Sequence, residues 1–208
     1  MTVKRLIDVN VAAAGLLVMA PVVAVIALLV RLRMGSPVLF RQTRPGHHGV
    51  PFEVLKFRTM RDTRRPDGSL LSDAERLTPL GRLLRRTSLD EIPQLWNVLR
   101  GDMSLVGPRP LLMEYLERYT PEQMRRHAVK PGITGLSQVS GRQEIPFSKR
   151  LELDVWYVDH WSLALDLRIL LRTVRLALRR SGVLPGQDVR DVDDLGLSTG
   201  LREGEGKQ

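Results

Sequence analysis

Between Val11 and Val30 the chain reads VAAAGLLVMAPVVAVIALLV, twenty residues without a charge. As one helix this run is roughly 30 Å long, the thickness of a bilayer's hydrocarbon core, so it must be covered by lipid or by protein. Basic residues flank both ends: Lys4 and Arg5 before it, Arg31, Arg33, Arg41 and Arg44 after it. A straight span carries its basic residues chiefly on the cytoplasmic side, so this symmetry draws both ends to the same face. Pro21, at the middle, removes a backbone hydrogen bond and can bend the helix sharply. Three readings follow: a re-entrant helix broken at Pro21, a straight span, or the buried helix of a soluble protein. Flanking charge and Pro21 favour the first. A cleaved signal peptide fits badly, because the run is too long and RLRMGSP is a poor cleavage site.

The remaining charge narrows the partners. Thirty-two Lys and Arg against 23 acids give a formal +9 over 208 residues, which calls for an anionic partner. Aromatic residues make up only 5% and do not interleave with the basic ones, which argues against nucleic acid and for lipid and phosphate. With no cysteine, thiolate catalysis, disulfides and cysteine-bound metals are excluded. His47 and His48 sit in a Gly-rich turn without further ligands at metal spacing and are read as loop residues.

After the apolar run, β-prone stretches flank the turn signal Arg44-Pro45-Gly46-His47-His48-Gly49 and predict a β-hairpin. The two-residue period of an extended Pro51–Met60 puts Val54, Lys56 and Arg58 on one face. Asp62 to Pro79 reads as a loop, long enough for an active-site flap. Pro93 must lie near the first turn of any helix running to Leu99, so that helix is expected to start near Ser88 to Asp90, with Ser88 and Glu91 as a capping box. Asp90 and Glu91 then sit at the positive end of a helix dipole. Arg85, Arg86 and the stiff Gly107-Pro108-Arg109-Pro110 turn surround them in sequence, a setting suited to a divalent cation and phosphate.

The segments LIDVNVAAAGLLVMAPVVAVIALLVRL, SPVLFRQTRPG, FEVLKFRTM, RRTSLDEIPQLWNVLRGDMSLVGPRP and VKPGITGLSQVSGR, in this order, closely resemble the bacterial sugar transferases, the monotopic phosphoglycosyl transferases, over residues 3–182. The resemblance implies transfer of a phosphosugar from a UDP-sugar to polyprenyl phosphate at the inner leaflet of the cytoplasmic membrane, releasing UMP and starting surface glycan synthesis. It further implies that Asp90 is a nucleophile holding a covalent phosphosugar and that Glu91 completes an acidic dyad with Mg²⁺. Lys56, Arg85 and Arg109 match basic positions assigned to phosphate, and Arg142 is a candidate for the nucleotide. Where the family commonly has Ser-Pro at the helix break, this chain has Ala20-Pro21, which leaves the bend angle open.

Leu163 to Arg180 places Arg168, Arg172, Arg175 and Arg179 on one face beside Leu167, Leu171, Val174 and Leu178, a basic amphipathic helix suited to an anionic membrane surface. The expected fold is a helix-rich α+β protein. Residues 1–34 form the re-entrant helix and its flanks, 35–182 the compact catalytic domain with its small hairpin, and 183–208 a disordered tail. A homodimer is left open, and no nucleic-acid partner is expected. The rival is a membrane-tethered basic binding protein without catalysis, in which Asp90 and Glu91 merely cap a helix.

Overall fold

A computed structural model of the chain describes residues 2–141, 145–179 and 193–197. The apolar run lies within one 33-residue helix, α1 (Thr2–Met34), with Pro21 inside it. A hairpin follows, β1 (Leu39–Pro45) and β2 (Pro51–Phe57), joined through a 3-10 turn at His47–Gly49. Next come α2 (Asp73–Arg76), α3 (Pro79–Thr87), a 3-10 turn at Leu89–Glu91, α4 (Gln94–Arg100) and β3 (Ser104–Val106). Beyond them lie 3-10 turns at Met113–Arg118 and Arg125–Ala128 around α5 (Pro121–Met124), then β4 (Gly132–Thr134), α6 (Leu136–Val139), α7 (Phe147–Asp159) and α8 (Leu163–Arg179). The helix-rich α+β class and the hairpin are as expected.

By length and composition α1 can cross a membrane. One of its faces is bound to the rest of the protein at both ends. Near its start, Lys4, Asp8 and Ala12 recur at four-residue spacing, one side of a helix. Lys4 Nζ donates to the Val106 carbonyl and to Asp166. The Arg5 guanidinium donates to the carbonyls of Val98 and Leu99 at the end of α4. Asp8 accepts from Ser104 Oγ at 2.8 Å and from the Leu105 N–H at 3.1 Å. Ala12 is wholly buried in a core with Val98, Met103, Val106, Tyr157 and Ile169. At Gly15 a Cβ would stand 3.3 Å from Leu95, so the small residue admits α4 to close range. Near the other end, Ile26 and Val30 are buried with Phe57 and Leu84. The opposite face, including Leu17, Val18, Val25, Leu28 and Leu32, is exposed. An apolar stripe of this size on the outside of the fold suits contact with lipid.

In the hairpin, Phe40 pairs with Lys56 and Gln42 with Val54, so these four side chains share one face of the ribbon. Arg58 departs from the expected alternation, because β2 ends at Phe57. Its guanidinium turns inward to the carbonyls of Met34, Ser36 and Met60 and to Asp62 at 2.7 Å. The stretch 62–79 is less irregular than expected: Ser72 and Glu75 form a capping box at α2, and α3 starts at Pro79.

The short strands β3 and β4 run parallel, Ser104 against Gly132 and Val106 against Thr134. Beyond β3 the Gly107 N–H donates to the Thr134 carbonyl at 2.9 Å, and Gly132 N–H to the Pro108 carbonyl at 3.0 Å. A Cβ on Gly107 would lie 2.4 Å from the Lys130 carbonyl oxygen, so only glycine lets this loop close. The loop carries Arg109.

In α8, Ile169 is buried while Leu163, Leu167, Leu171 and Val174 are exposed. Of the expected apolar row, Leu167, Leu171 and Val174 thus face outward, and the Leu178 side chain lies outside the described residues. Of the expected disordered tail, residues 193–197 are described and packed. Leu197 is buried with Leu112, Tyr115, Tyr119, Phe147 and Leu151, and its carbonyl accepts from Arg118 at 2.6 Å. The remainder of 183–208 lies outside the described residues.

Candidate active site

The segment carrying Asp90 and Glu91 is shaped by two residues. Ser88 ends α3 in the left-handed conformation, φ 56°, and Pro93 has no N–H to offer a helical ladder. Leu89–Glu91 therefore form a 3-10 turn, Ile92 and Pro93 continue in helical conformation, and the α ladder begins at Gln94. This corrects the expected capping box: Ser88 makes no side-chain cap, because its backbone is already spent terminating α3. The dyad sits on the 3-10 turn before α4.

Two cations converge on Glu91. Lys56 Nζ donates to Glu91 Oε1 at 2.8 Å, and Arg109 Nη2 donates to the same oxygen at 2.7 Å. Burial would raise the Glu91 pKa, but Arg109 and Lys56 outweigh it and hold the carboxyl well below the usual range. Asp90 behaves oppositely. It is 7% exposed, its oxygens take no hydrogen bond from a described residue, and burial together with the neighbouring Glu91 charge raises its pKa. Lys56, Arg85 and Arg109 pull it the other way with smaller effect. Arg85 reaches the site from α3 while its Nε is tied to Thr59 Oγ1 at 3.0 Å. Burial lowers the Arg85 and Lys56 pKa values, opposed by the carboxylates, whereas Glu91 raises that of Arg109.

Of the expected polar positions, Lys56, Arg85, Asp90, Glu91 and Arg109 thus meet around one centre. Arg142 lies outside the described residues. Asp102, close to the dyad in sequence, is turned away toward Arg100 and Asn97.

Several supporting residues escaped the sequence reading. Asn97, fully buried, accepts from the Leu55 N–H at 3.0 Å and donates to the Glu53 carbonyl at 2.7 Å, fixing the strand just before Lys56. Arg126, 1% exposed, pairs with Asp154 and donates through Nη2 to the Arg109 carbonyl at 2.6 Å. Ser137 Oγ donates to the other Asp154 oxygen at 2.8 Å. The signal for Asn97 was present: Asp90, Gln94 and Asn97 recur at spacings of four and three, a buried polar row on one helical face. Nothing local announced Arg126 and Asp154.

A shallow, solvent-open cleft borders the cations, lined by Phe40, Gln42, Arg44, Val54, Lys56, Gln94 and Arg109 among others. Among the described residues no group of three or more acidic or histidine side chains could alone enclose a metal ion. Two adjacent carboxylates with free oxygens suit Mg²⁺ nonetheless, since this ion binds through one or two carboxylates and completes its shell with water and substrate phosphate.

Carboxylates set among guanidinium and ammonium groups, beside a membrane helix, belong to the chemistry of phosphorylated substrates. Comparison with known proteins gives the class: residues 1–180 match the bacterial sugar transferase family, and the chain is a member of it, an enzyme of the transferase class. It is 56% identical over 183 residues to the uncharacterized sugar transferase EpsL of Bacillus subtilis, covering 88% of this chain and 91% of that one. It is 45% identical over 183 residues to a UDP-glucose:undecaprenyl-phosphate glucose-1-phosphate transferase of Caulobacter vibrioides, covering 82% and 68%. An undecaprenyl-phosphate galactose phosphotransferase of Salmonella typhimurium is 43% identical over 168 residues, covering 72% of this chain and 35% of that longer protein.

Proposed function

We propose that the protein transfers a sugar 1-phosphate from a UDP-sugar to polyprenyl phosphate at the cytoplasmic face of the membrane, releasing UMP. The observation that carries this reading is the division between adjacent carboxylates: Glu91 is locked by two cations, while Asp90 is buried among cations with its oxygens free. A free carboxylate in such a field is a competent nucleophile toward phosphorus, because the cations offset the repulsion between two anions.

An Asp90 oxygen attacks the phosphorus bearing the sugar, and the P–O bond to UMP breaks, its electron pair leaving with UMP. A phosphate oxygen of the polyprenyl phosphate then attacks the same phosphorus. The bond to Asp90 breaks and the carboxylate is restored. Lys56 and Arg109 hold Glu91 in place and neutralise the diphosphate, and Arg85 faces Asp90 from α3. Asp90 and Glu91 would hold Mg²⁺, which supplies Lewis-acid polarisation of the phosphate oxygens.

The topology belongs to the same proposal: α1 re-enters at Pro21 and returns to the cytoplasmic side. Support comes from the contacts of α1 with one and the same domain at Gly15 and again at Ile26. The ten residues between them span roughly 15 Å, half a hydrocarbon core. Single cysteines in place of Lys4 and Arg41 test it in a chain without native cysteine. Both are expected to resist an impermeant thiol reagent in intact cells, and labelling of one alone would establish a straight span. The activity is tested by UMP release from UDP-sugars with polyprenyl phosphate and membranes containing the protein; no release from any UDP-sugar would overturn the reading.

A further inference from the structure

The cleft beside Lys56 and Arg109 contains a polar group that the chemistry above does not use. Gln94 is 3% exposed, yet it lines the cleft and its carboxamide makes no hydrogen bond with a described residue. Its amide atoms are not sealed from solvent, so they open onto the cleft, where a ligand can take the place of water. The facing wall is the hairpin, whose shared face presents Phe40 and Val54 as apolar surface and Gln42 and Lys56 as polar groups.

From these positions we infer that the cleft is the sugar subsite, with Gln94 bonding a hydroxyl of the sugar and Phe40 covering its C–H face. The inference rests on the phosphosugar transfer proposed above and specifies which part of the donor the cleft takes. Gln94 lines the cleft together with Lys56 and Arg109, and both of these cations bond Glu91, the neighbour of Asp90. A group that Gln94 touches is therefore close to the phosphorus that Asp90 attacks. In a UDP-sugar the sugar is bonded through one oxygen to that phosphorus, whereas the uracil is separated from it by a second phosphate and a ribose. Lys56, Arg109 and Arg44, whose guanidinium is bonded to Gln42, supply charge for the diphosphate, and Gln94 and Phe40 supply an uncharged amide and an aromatic face for an uncharged polyol. A polyprenyl chain would leave the Gln94 amide unpaired, so the lipid does not fit this wall.

The test compares wild type with Gln94→Met, which keeps volume and helix propensity and removes the amide. Two quantities are read in membranes containing the full-length protein: kcat/KM for UMP release across UDP-glucose, UDP-galactose and UDP-N-acetylglucosamine, and inhibition by UDP, which has the diphosphate and uridine but no sugar. The expected result is a loss of about tenfold in kcat/KM for the preferred donor, a narrowed preference among donors, and UDP inhibition within about twofold of wild type. Equal weakening toward UDP and UDP-sugar, or no change in either, would overturn the subsite while leaving the transfer reading intact. A wild-type protein inactive on every donor overturns the transfer reading and the subsite with it. Should Gln94→Met fail to fold, Phe40→Leu on the opposite wall carries the same comparison, with the same pattern expected and the same equal weakening or absence of change against it.

Discussion

Asp90 and Asp154 are both buried aspartates tied to the surroundings of Arg109, and they are treated in opposite ways. Asp154 is satisfied on both oxygens, by Arg126 on one and Ser137 on the other. Asp166 is similar, accepting from Lys4, Tyr157 and Trp161. Asp90 has three cations in range and a hydrogen bond from none of the described residues. Carboxylates that hold a fold together are paired, since an uncompensated buried charge is expensive. A carboxylate left open among cations keeps its lone pairs for a reaction, and the fold accepts the cost locally.

The largest effect that could break this contrast lies at Asp90. Asp90→Asn keeps the size and removes the nucleophile, so UMP release is expected to fall by about a thousandfold or more, with the thermal midpoint hardly changed. In the metal-free wild type the Asp90 carboxyl should titrate above the ordinary aspartate value of about 4, read from the pH dependence of its carboxyl carbon NMR shift, because burial and Glu91 raise its pKa. Near-normal turnover by the variant would end covalent catalysis at this residue.

Metal removal comes next in size. EDTA is expected to abolish turnover and Mg²⁺ to restore it, with Mn²⁺ as a partial or full substitute, since both accept carboxylate and phosphate oxygen. Full activity in EDTA would show that Lys56, Arg85 and Arg109 neutralise the diphosphate unaided.

Asp154 should give the reverse of Asp90. Asp154→Ala strands the Arg126 guanidinium, which is 1% exposed, and removal of one partner from such a pair costs about 3–5 kcal/mol. Denaturant unfolding is the measurement, and a loss below about 1 kcal/mol would mean that Arg126 finds another partner. Activity should fall only as far as the folded fraction and the freedom of Arg109, whose carbonyl Arg126 holds, allow.

The same contrast explains what could be read from the sequence. The hairpin was legible because its turn signal is local, and the dyad because Asp90, Glu91, Pro93 and their basic neighbours lie within one short segment. Asp154 and Asp166 were not, because the cations that pair with them are remote: Arg126 is 28 residues from Asp154, and Lys4 is 162 from Asp166. The Ser88 capping box failed for a different reason. The motif was present, but the chain needed a left-handed residue to end α3 at that position, and a serine so placed does not cap the following turn. Arg58 failed because an alternating pattern carries no mark of where a strand stops.

His127 offers the smallest and most graded test, since it lies between the two extremes. Its Nδ1 meets the Gly46 carbonyl at 3.3 Å, while Nε2 is buried without a partner among the described residues. Burial, then the Arg126 charge, push its pKa down to about 4, against a partial offset from Gly46. In the unfolded chain the ring takes its proton near pH 6.5, whereas the folded protein resists protonation until about pH 4. Between these values the unfolded state binds more protons, so stability falls as pH falls, and the loss is complete below about pH 4. His127→Gln has no such titration and can still donate to Gly46. Its stability should therefore decline less than that of wild type between about pH 6.5 and 4.5, the difference isolating this ring from the carboxylates that titrate in both proteins. Parallel stability curves would show that the ring is protonated in the fold at an ordinary pH, and that its second nitrogen has a partner after all.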